Sequence, residues 1–328
     1  MANAKLEKRL DAQIAALKDQ VDRIAQAEGA HSSKTTAIAE RLDNVNQLVR
    51  VMHTAMMLDI EHQRGGRDRA AAFDVPRVSA HVTRAIAGAR LESDPSVHVV
   101  VNDLMPADTY QAILDGIPPR VFFNLRDDAK QNMKLDQVDI APQWTLQTLA
   151  FIENELIPRM MVPTLLERLA PHIREFYVRE YGPEKGPALA ALPHFASGNR
   201  LMLRRPGYHL DPHLDPRRAV FTALIYFARP GDSVAYGTSF YRMSGTPNID
   251  RTNTFYPETQ GIRCELVKMV PFTANSAVAF LNWGGAHGAD IPKDAPKDTL
   301  RYSYQFYVSP DQAGVASVLG EAESAVMD

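Results

Sequence analysis

One stretch of this chain gathers more metal-ligand side chains than any other. It is Arg205-Pro-Gly-Tyr-His-Leu-Asp-Pro-His-Leu-Asp215, with two His-x-Asp pairs, His209/Asp211 and His213/Asp215. In an extended strand residues two apart face the same way, so one pair can present an imidazole and a carboxylate to a single cation. Alone, such a pair says little, because ten histidines and ordinary aspartate usage give roughly one match by chance. The segments downstream of it give it weight. The strand-like AVFTALIYFA comes at once, and SAVAFLNWGGAHGAD later runs a strand into a loop that holds His287. Arg301, fourteen residues on, opens the last strand-like segment.

Two histidines and one carboxylate on one face of a metal leave the opposite positions open, the facial arrangement of non-haem ferrous sites. An arginine on a nearby inward strand face could take a carboxylate through both its forks. The single cysteine, Cys264, excludes an internal disulfide framework and a zinc site built on several thiolates. A transition metal would therefore rely on histidine and carboxylate.

In these residues the chain resembles the Fe(II)/2-oxoglutarate-dependent dioxygenases, within them the prolyl-4-hydroxylase-like branch. The resemblance spans about 97–310 and is strongest over 203–227 and 275–308. It rests on Pro206-Gly207-Tyr208, His213-Leu-Asp215, a strand from Thr222 to Tyr226-Phe227, the segment from Phe280 to His287, and Arg301-Tyr302. It implies a double-stranded β-helix (jelly-roll, cupin-like) core. It also implies that His213, Asp215 and His287 ligate Fe(II), and that Arg301 pairs with the distal carboxylate of 2-oxoglutarate, helped by Tyr226. O2 would be the second cosubstrate. Tyr208, Tyr241, Arg242, Asn282 and Trp283 are candidate substrate contacts. The tandem motif leaves the register open. His213/Asp215 is preferred to His209/Asp211 because Pro-Gly-Tyr precedes it at the expected distance and the next strand comes directly after it. The gap from His287 to Arg301 is a few residues longer than usual, owing to the loop IPKDAPKD, and a surface insertion of that size is cheap.

The elements that would position these residues fall in the second part of the chain. After Pro193 come NRLMLRR, AVFTALIYFA, CELVKMVPF, SAVAFLN and LRYSYQFYV, β-rich runs parted by Pro, Gly, Asp and Asn. Thr222, Leu224 and Tyr226 share one strand face, and Arg301, Ser303, Gln305 and Tyr307 another. Helices are expected over 107–116, 143–157 and 163–181, the last with apolar residues at helical spacing. Helices followed by strands predict an α+β fold.

The first sixty residues differ. They lack proline, and Leu10, Ile14, Leu17, Val21 and Ile24 alternate in steps of four and three. Ile38, Leu42, Val45, Val49, Met52 and Met56 resume the same register, the seam of a coiled coil. The middle is weak, and GAHSSKTT is alternatively a turn of a helical hairpin. A long self-associating helix is favoured. The expected organisation is a coiled coil over 1–62, a linker with a short helix over 63–96, a catalytic domain over 97–312 and a tail over 313–328.

The chain has 328 residues, 45% apolar and 23% charged, with net charge −3. This balance excludes wholesale disorder and a global positive field for nucleic acid. No apolar stretch reaches the ~20 residues of a membrane helix, and the N-terminus lacks a signal-peptide core, so a cytoplasmic setting is the default. The combined expectation is an oxygenase that hydroxylates an unactivated C–H of a small polar or anionic molecule, releasing succinate and CO2. The alternatives are a protein side-chain (prolyl-type) hydroxylase and a non-catalytic coiled-coil scaffold with a degenerate barrel. A halogenase is disfavoured by Asp215, and a metal hydrolase would not need Arg301.

Overall fold

The computed structural model describes residues 16, 18–20, 32–64, 69–123, 127–137, 140–245 and 253–320. The chain divides into two compact units, residues 1–65 with 140–142, and residues 66–139 with 143–328. In the first, helix α1 spans Ser32–Arg64. The Ser-Ser-Lys-Thr-Thr part of the alternative turn is therefore helical. Ile38, Val45, Met52 and Met56 of the heptad seam are exposed on α1. The earlier seam positions, Leu10 to Ile24, lie outside the described residues.

In the second unit, the segment expected as a linker carries structure. Helix α2 (Val75–Gly88) starts on Asp74, whose carboxylate accepts from the Arg77 amide at 2.8 Å, with Pro76 in the first turn. Val78, Val82 and Ile86 recur every four residues and are fully buried. Each contributes roughly 1.5–3 kcal/mol over an exposed position. Arginines at 77, 84 and 90 disguise this narrow stripe in the sequence.

Next along the chain are β1 (Leu91–Glu92), β2 (His98–Val101), α3 (Ala107–Gly116), β3 (Lys130–Met133) and α4 (Gln143–Phe151). Helix α4 runs through a π-helical stretch, Ile152–Met161, into α5 (Val162–Ala190), which is broken at Gly182 (φ 82°), one residue past the end expected at Tyr181. The two expected helices are thus joined, and Pro158, which has no N–H to donate, falls in the π-helical stretch. The chain then becomes β: β4 (His194–Arg204), β5 (His209–His213), β6 (Phe221–Tyr226), β7 (Thr238–Met243), β8 (Cys264–Val270), β9 (Ser276–Leu281), β10 (Ala286–Asp290) and β11 (Arg301–Pro310). A last helix, α6 (Gln312–Leu319), is capped by Asp311 and opens the segment expected as a tail.

The strands form two antiparallel sheets, ordered β1-β2-β9-β6-β11-β4-β3 and β5-β10-β7-β8. From β4 onward the chain passes repeatedly between them, which is the interleaving of a jelly roll. The described part of this unit is therefore the α+β arrangement with a double-stranded β-helix core. Strands β6, β9 and β11 are buried along their whole length. Helices α2 and α5 and the π-helical stretch lie on the larger sheet. Met202, Leu224, Phe240, Phe272, Val278 and Phe280 form an apolar cluster drawn from both sheets. Among the described residues, no helix is long and apolar enough to cross a membrane.

Candidate metal centre and cavity

The metal-ligand side chains meet where β5 and β10 pair. His213 lies directly opposite His287 in the ladder, and their rings stand 4.1 Å apart. Asp215, two residues past His213, turns its carboxylate to both. Its oxygens lie 3.8 Å from His213 Nε2 and 3.4 Å from His287 Nε2. One ligand atom from each residue falls within 4.8 Å of the others, and all three side chains are buried.

A bulge sets this arrangement. His287 pairs with His213, but Ala289, two residues on, pairs with Leu210, three residues back. One extra residue on β5 flips its alternation. Leu210 and His213 both line the cavity, although plain alternation would put them on opposite faces. Gly288 permits the close approach, because a Cβ there would stand 2.6 Å from the Leu210 carbonyl oxygen. Gly284, in the preceding turn, adopts φ 88°, a conformation that favours glycine.

The surroundings define the state of each side chain. The Nδ1 of His213 lies 2.9 Å from the Asp211 carbonyl oxygen and must donate to it, which leaves Nε2 as the ring's one atom able to ligate. Burial pushes the His287 pKa down to about 3, with His213 adding to the shift and Asp215 opposing it, so this ring is neutral near pH 7. Burial alone would raise Asp215, yet His287, His213 and the Thr222 hydroxyl together hold it below the usual carboxylate range. Thr222 donates to Oδ2 at 2.5 Å and Tyr307 to Oδ1 at 3.3 Å. Two imidazoles and one oriented carboxylate fit a divalent iron, and no fourth His, Cys, Asp or Glu joins the cluster among the described residues.

A cavity of about 130 Å³ runs from this cluster to Arg301, which is 3% exposed. The guanidinium lies over Tyr226 and Phe272, donates through Nε to the Tyr236 carbonyl, and reaches Ser303 Oγ from Nη1 at 3.3 Å. No carboxylate pairs with it among the described residues. The cavity thus has a metal-ligand end and a buried, unpaired cation.

The remaining expected residues fall in different places. Tyr208 lines the cavity. Tyr226 does not: its buried hydroxyl donates to Thr238 Oγ1 at 2.6 Å, and Thr238 is the residue that lines it. Asn282 sits behind the site. Its Oδ1 accepts from the Asp215 amide at 2.8 Å, and its Nδ2 donates to the Asp215 and Pro216 carbonyls. Its task is backbone placement, not substrate contact. Trp283 lies under the Arg179 guanidinium, outside the cavity lining. Tyr241 is also outside it, and exposed Arg242 pairs with Asp94 at 2.8 Å. Arg200, Arg204, Thr238 and Tyr256 line the cavity without having been singled out in the sequence. Strand parity could have found Arg200 and Arg204, which alternate on β4 opposite Gln305 and Arg301.

No family model and no curated protein matches the chain. Solved structures do. The non-haem alpha-ketoglutarate-dependent carbocyclase SnoK of nogalamycin biosynthesis is 11% identical, with 71% of this chain and 86% of that chain covered and a TM-score of 0.37. A 2OG-Fe(II) oxygenase family oxidoreductase from Burkholderia pseudomallei is 11% identical over 70% of this chain and 89% of that one, at a TM-score of 0.36. A prolyl-4-hydroxylase from Pseudomonas putida is 16% identical over 71% of this chain and 99% of that one, at 0.33.

Proposed function

We propose that the chain is an Fe(II)- and 2-oxoglutarate-dependent oxygenase that hydroxylates an unactivated C–H of a small polar or anionic molecule. The observation that carries this is one cavity with a buried His213–Asp215–His287 cluster at one end and an unpaired, buried Arg301 at the other. His213, Asp215 and His287 would hold the iron, and Arg301 the far carboxylate of 2-oxoglutarate, with the Thr238 hydroxyl beside it. Bound there, iron and 2-oxoglutarate would supply the oxidising chemistry, with 2-oxoglutarate and O2 consumed and succinate, CO2 and hydroxylated product released.

The protein's own part is orientation. The Asp211 carbonyl fixes the His213 tautomer, while Thr222 and Tyr307 aim the Asp215 oxygens. Burial keeps bulk water from the cluster. The test is anaerobic addition of ferrous iron and 2-oxoglutarate to purified protein. A metal-to-ligand charge-transfer band is expected, followed in air by succinate formation that needs both additions. Protein that binds neither component sinks the reading. Arg301→Ala is expected to raise the KM for 2-oxoglutarate roughly 10- to 100-fold, the worth of a charged hydrogen-bonded pair.

The N-terminal unit adds a second element. The exposed Ile38, Val45, Met52 and Met56 of α1 lie on one heptad seam. We propose that this seam joins copies of the chain. Sedimentation of the full chain and of Val45→Glu/Met52→Glu tests it, and an unchanged mass refutes it.

A further inference from the structure

The charge of the cavity exceeds what iron and 2-oxoglutarate require. Its lining includes Lys130, Arg200, Arg204 and Arg301, against one carboxylate, Asp215. A divalent ion and the two carboxylates of 2-oxoglutarate cancel each other. The four cations then stand against Asp215 alone, a surplus of three, and Lys130, Arg200 and Arg204 have no carboxylate partner among the described residues.

These three are not equivalent. Arg204 is 2% exposed and already committed. Its Nη1 donates to the Gln131 and Leu203 carbonyls and its Nη2 to Asn132 Oδ1 at 3.0 Å, and it sits in register with Arg301, four residues along β4 from Arg200. That spacing is roughly 13 Å along a strand. Lys130 is exposed and pairs in register with Arg204, at the same end. Arg200 lies at the other end, against the metal cluster. Its Nε and Nη2 donate to Gln305 Oε1 at 3.2 and 2.8 Å, and Nη2 also reaches the Tyr307 hydroxyl at 3.1 Å. That hydroxyl is the one that touches Asp215. Arg200 is therefore one phenol away from a candidate metal ligand. Gln305 and Tyr307 hold its plane from one side, and its Nη1 has no hydrogen-bond partner among the described residues.

We infer that the primary substrate is a small organic oxyanion, a carboxylate or a phosphate, and that Arg200 grips this group beside the metal. This deepens the oxygenase reading and rests on it. A guanidinium held in one plane suits such a fork-like contact, and a cavity lined by four cations against one carboxylate draws anions in. Gln305 and Tyr307 are positioning residues for Arg200.

The probes are inorganic phosphate and acetate, which separate the two oxyanion sources. They are titrated anaerobically into full-length protein loaded with ferrous iron and saturating 2-oxoglutarate, the charge-transfer band certifying loading in each protein. Paramagnetic broadening of the phosphorus or methyl-proton resonance reports an anion held near the metal. The expected result is saturable broadening of at least one probe, with affinity lowered at least tenfold in Arg200→Ala and largely kept in Arg200→Lys. Broadening that is absent in the wild type, or equal in Arg200→Ala, overturns the inference while leaving the oxygenase reading in place. Absence of the band in the wild type overturns both.

Discussion

The same three-residue motif occurs twice, within β5 and across its end, four residues apart, with opposite fates. At His213 the ring is 4% exposed and keeps one lone pair free for a metal. At His209 the side chain is 62% exposed, and both ring nitrogens face carboxylates, Asp290 and Asp211, each at 2.8 Å. Two acceptors demand two protons, so Asp290 and Asp211 raise its pKa and favour the imidazolium, which cannot ligate. What suits a His-x-Asp pair to ligate is thus what its Nδ1 meets and its burial, both of which lie outside the motif.

The comparison can be broken most directly by substitution. His213→Ala or Asp215→Ala is expected to abolish measurable iron binding and succinate formation. His209→Ala or Asp211→Ala should leave both within about twofold, since surface changes away from structural features move stability by only about 0.5 kcal/mol. Anaerobic iron titration of the four variants decides it, and the reverse pattern would transfer the site to the outer pair. The partners of Asp215 come next. Thr222→Val should lower iron affinity by roughly 10- to 100-fold, as for other groups that orient a ligand. Tyr307→Phe removes a longer bond and should cost about fivefold, the worth of roughly 1 kcal/mol. Equal losses in the two variants would mean that the carboxylate is held by something else.

The smallest effect is on stability at the outer pair. Its carboxylates raise His209 above the ordinary value in the folded chain, so their pairing stabilises fully below about pH 6.5 and is lost as pH rises past the raised value. Solvent screening keeps this under about 1 kcal/mol. His209→Ala should therefore melt earlier than the wild type at pH 6 and together with it at pH 8. A gap of the same size at both values would show a packing effect instead.

Much of this was legible in residue order. The β-rich runs that form β4, β6, β8, β9 and β11 and the helices over 107–116, 143–157 and 163–181 could be read from period, and the family resemblance pointed to His213, Asp215 and His287, which the fold brings together, although His287 was expected in a loop and stands on β10. The features that escaped did so for physical reasons. The bulge in β5 is a property of two strands in register, and Gly288 is its one trace in the sequence. Thr238 displaced Tyr226 from the cavity because parity gives a face, not how deep a hydroxyl reaches. Asn282 read as a substrate contact because it stands near His287, while its amide is spent on the backbone of Asp215. A short helix was expected within 63–96, but not its buried stripe, because three apolar residues among arginines look like a solvated segment.

The Asn282 clamp has a consequence for how the site is held together. It ties the chain on both sides of the Asp215–Pro216 peptide to the end of β9, and five residues later the same stretch delivers His287. His213 is bound to that stretch by the β5–β10 ladder. The three side chains are therefore fixed to one another through backbone bonds, whereas Arg301, at the start of β11, is tied to them only through the sheet as a whole.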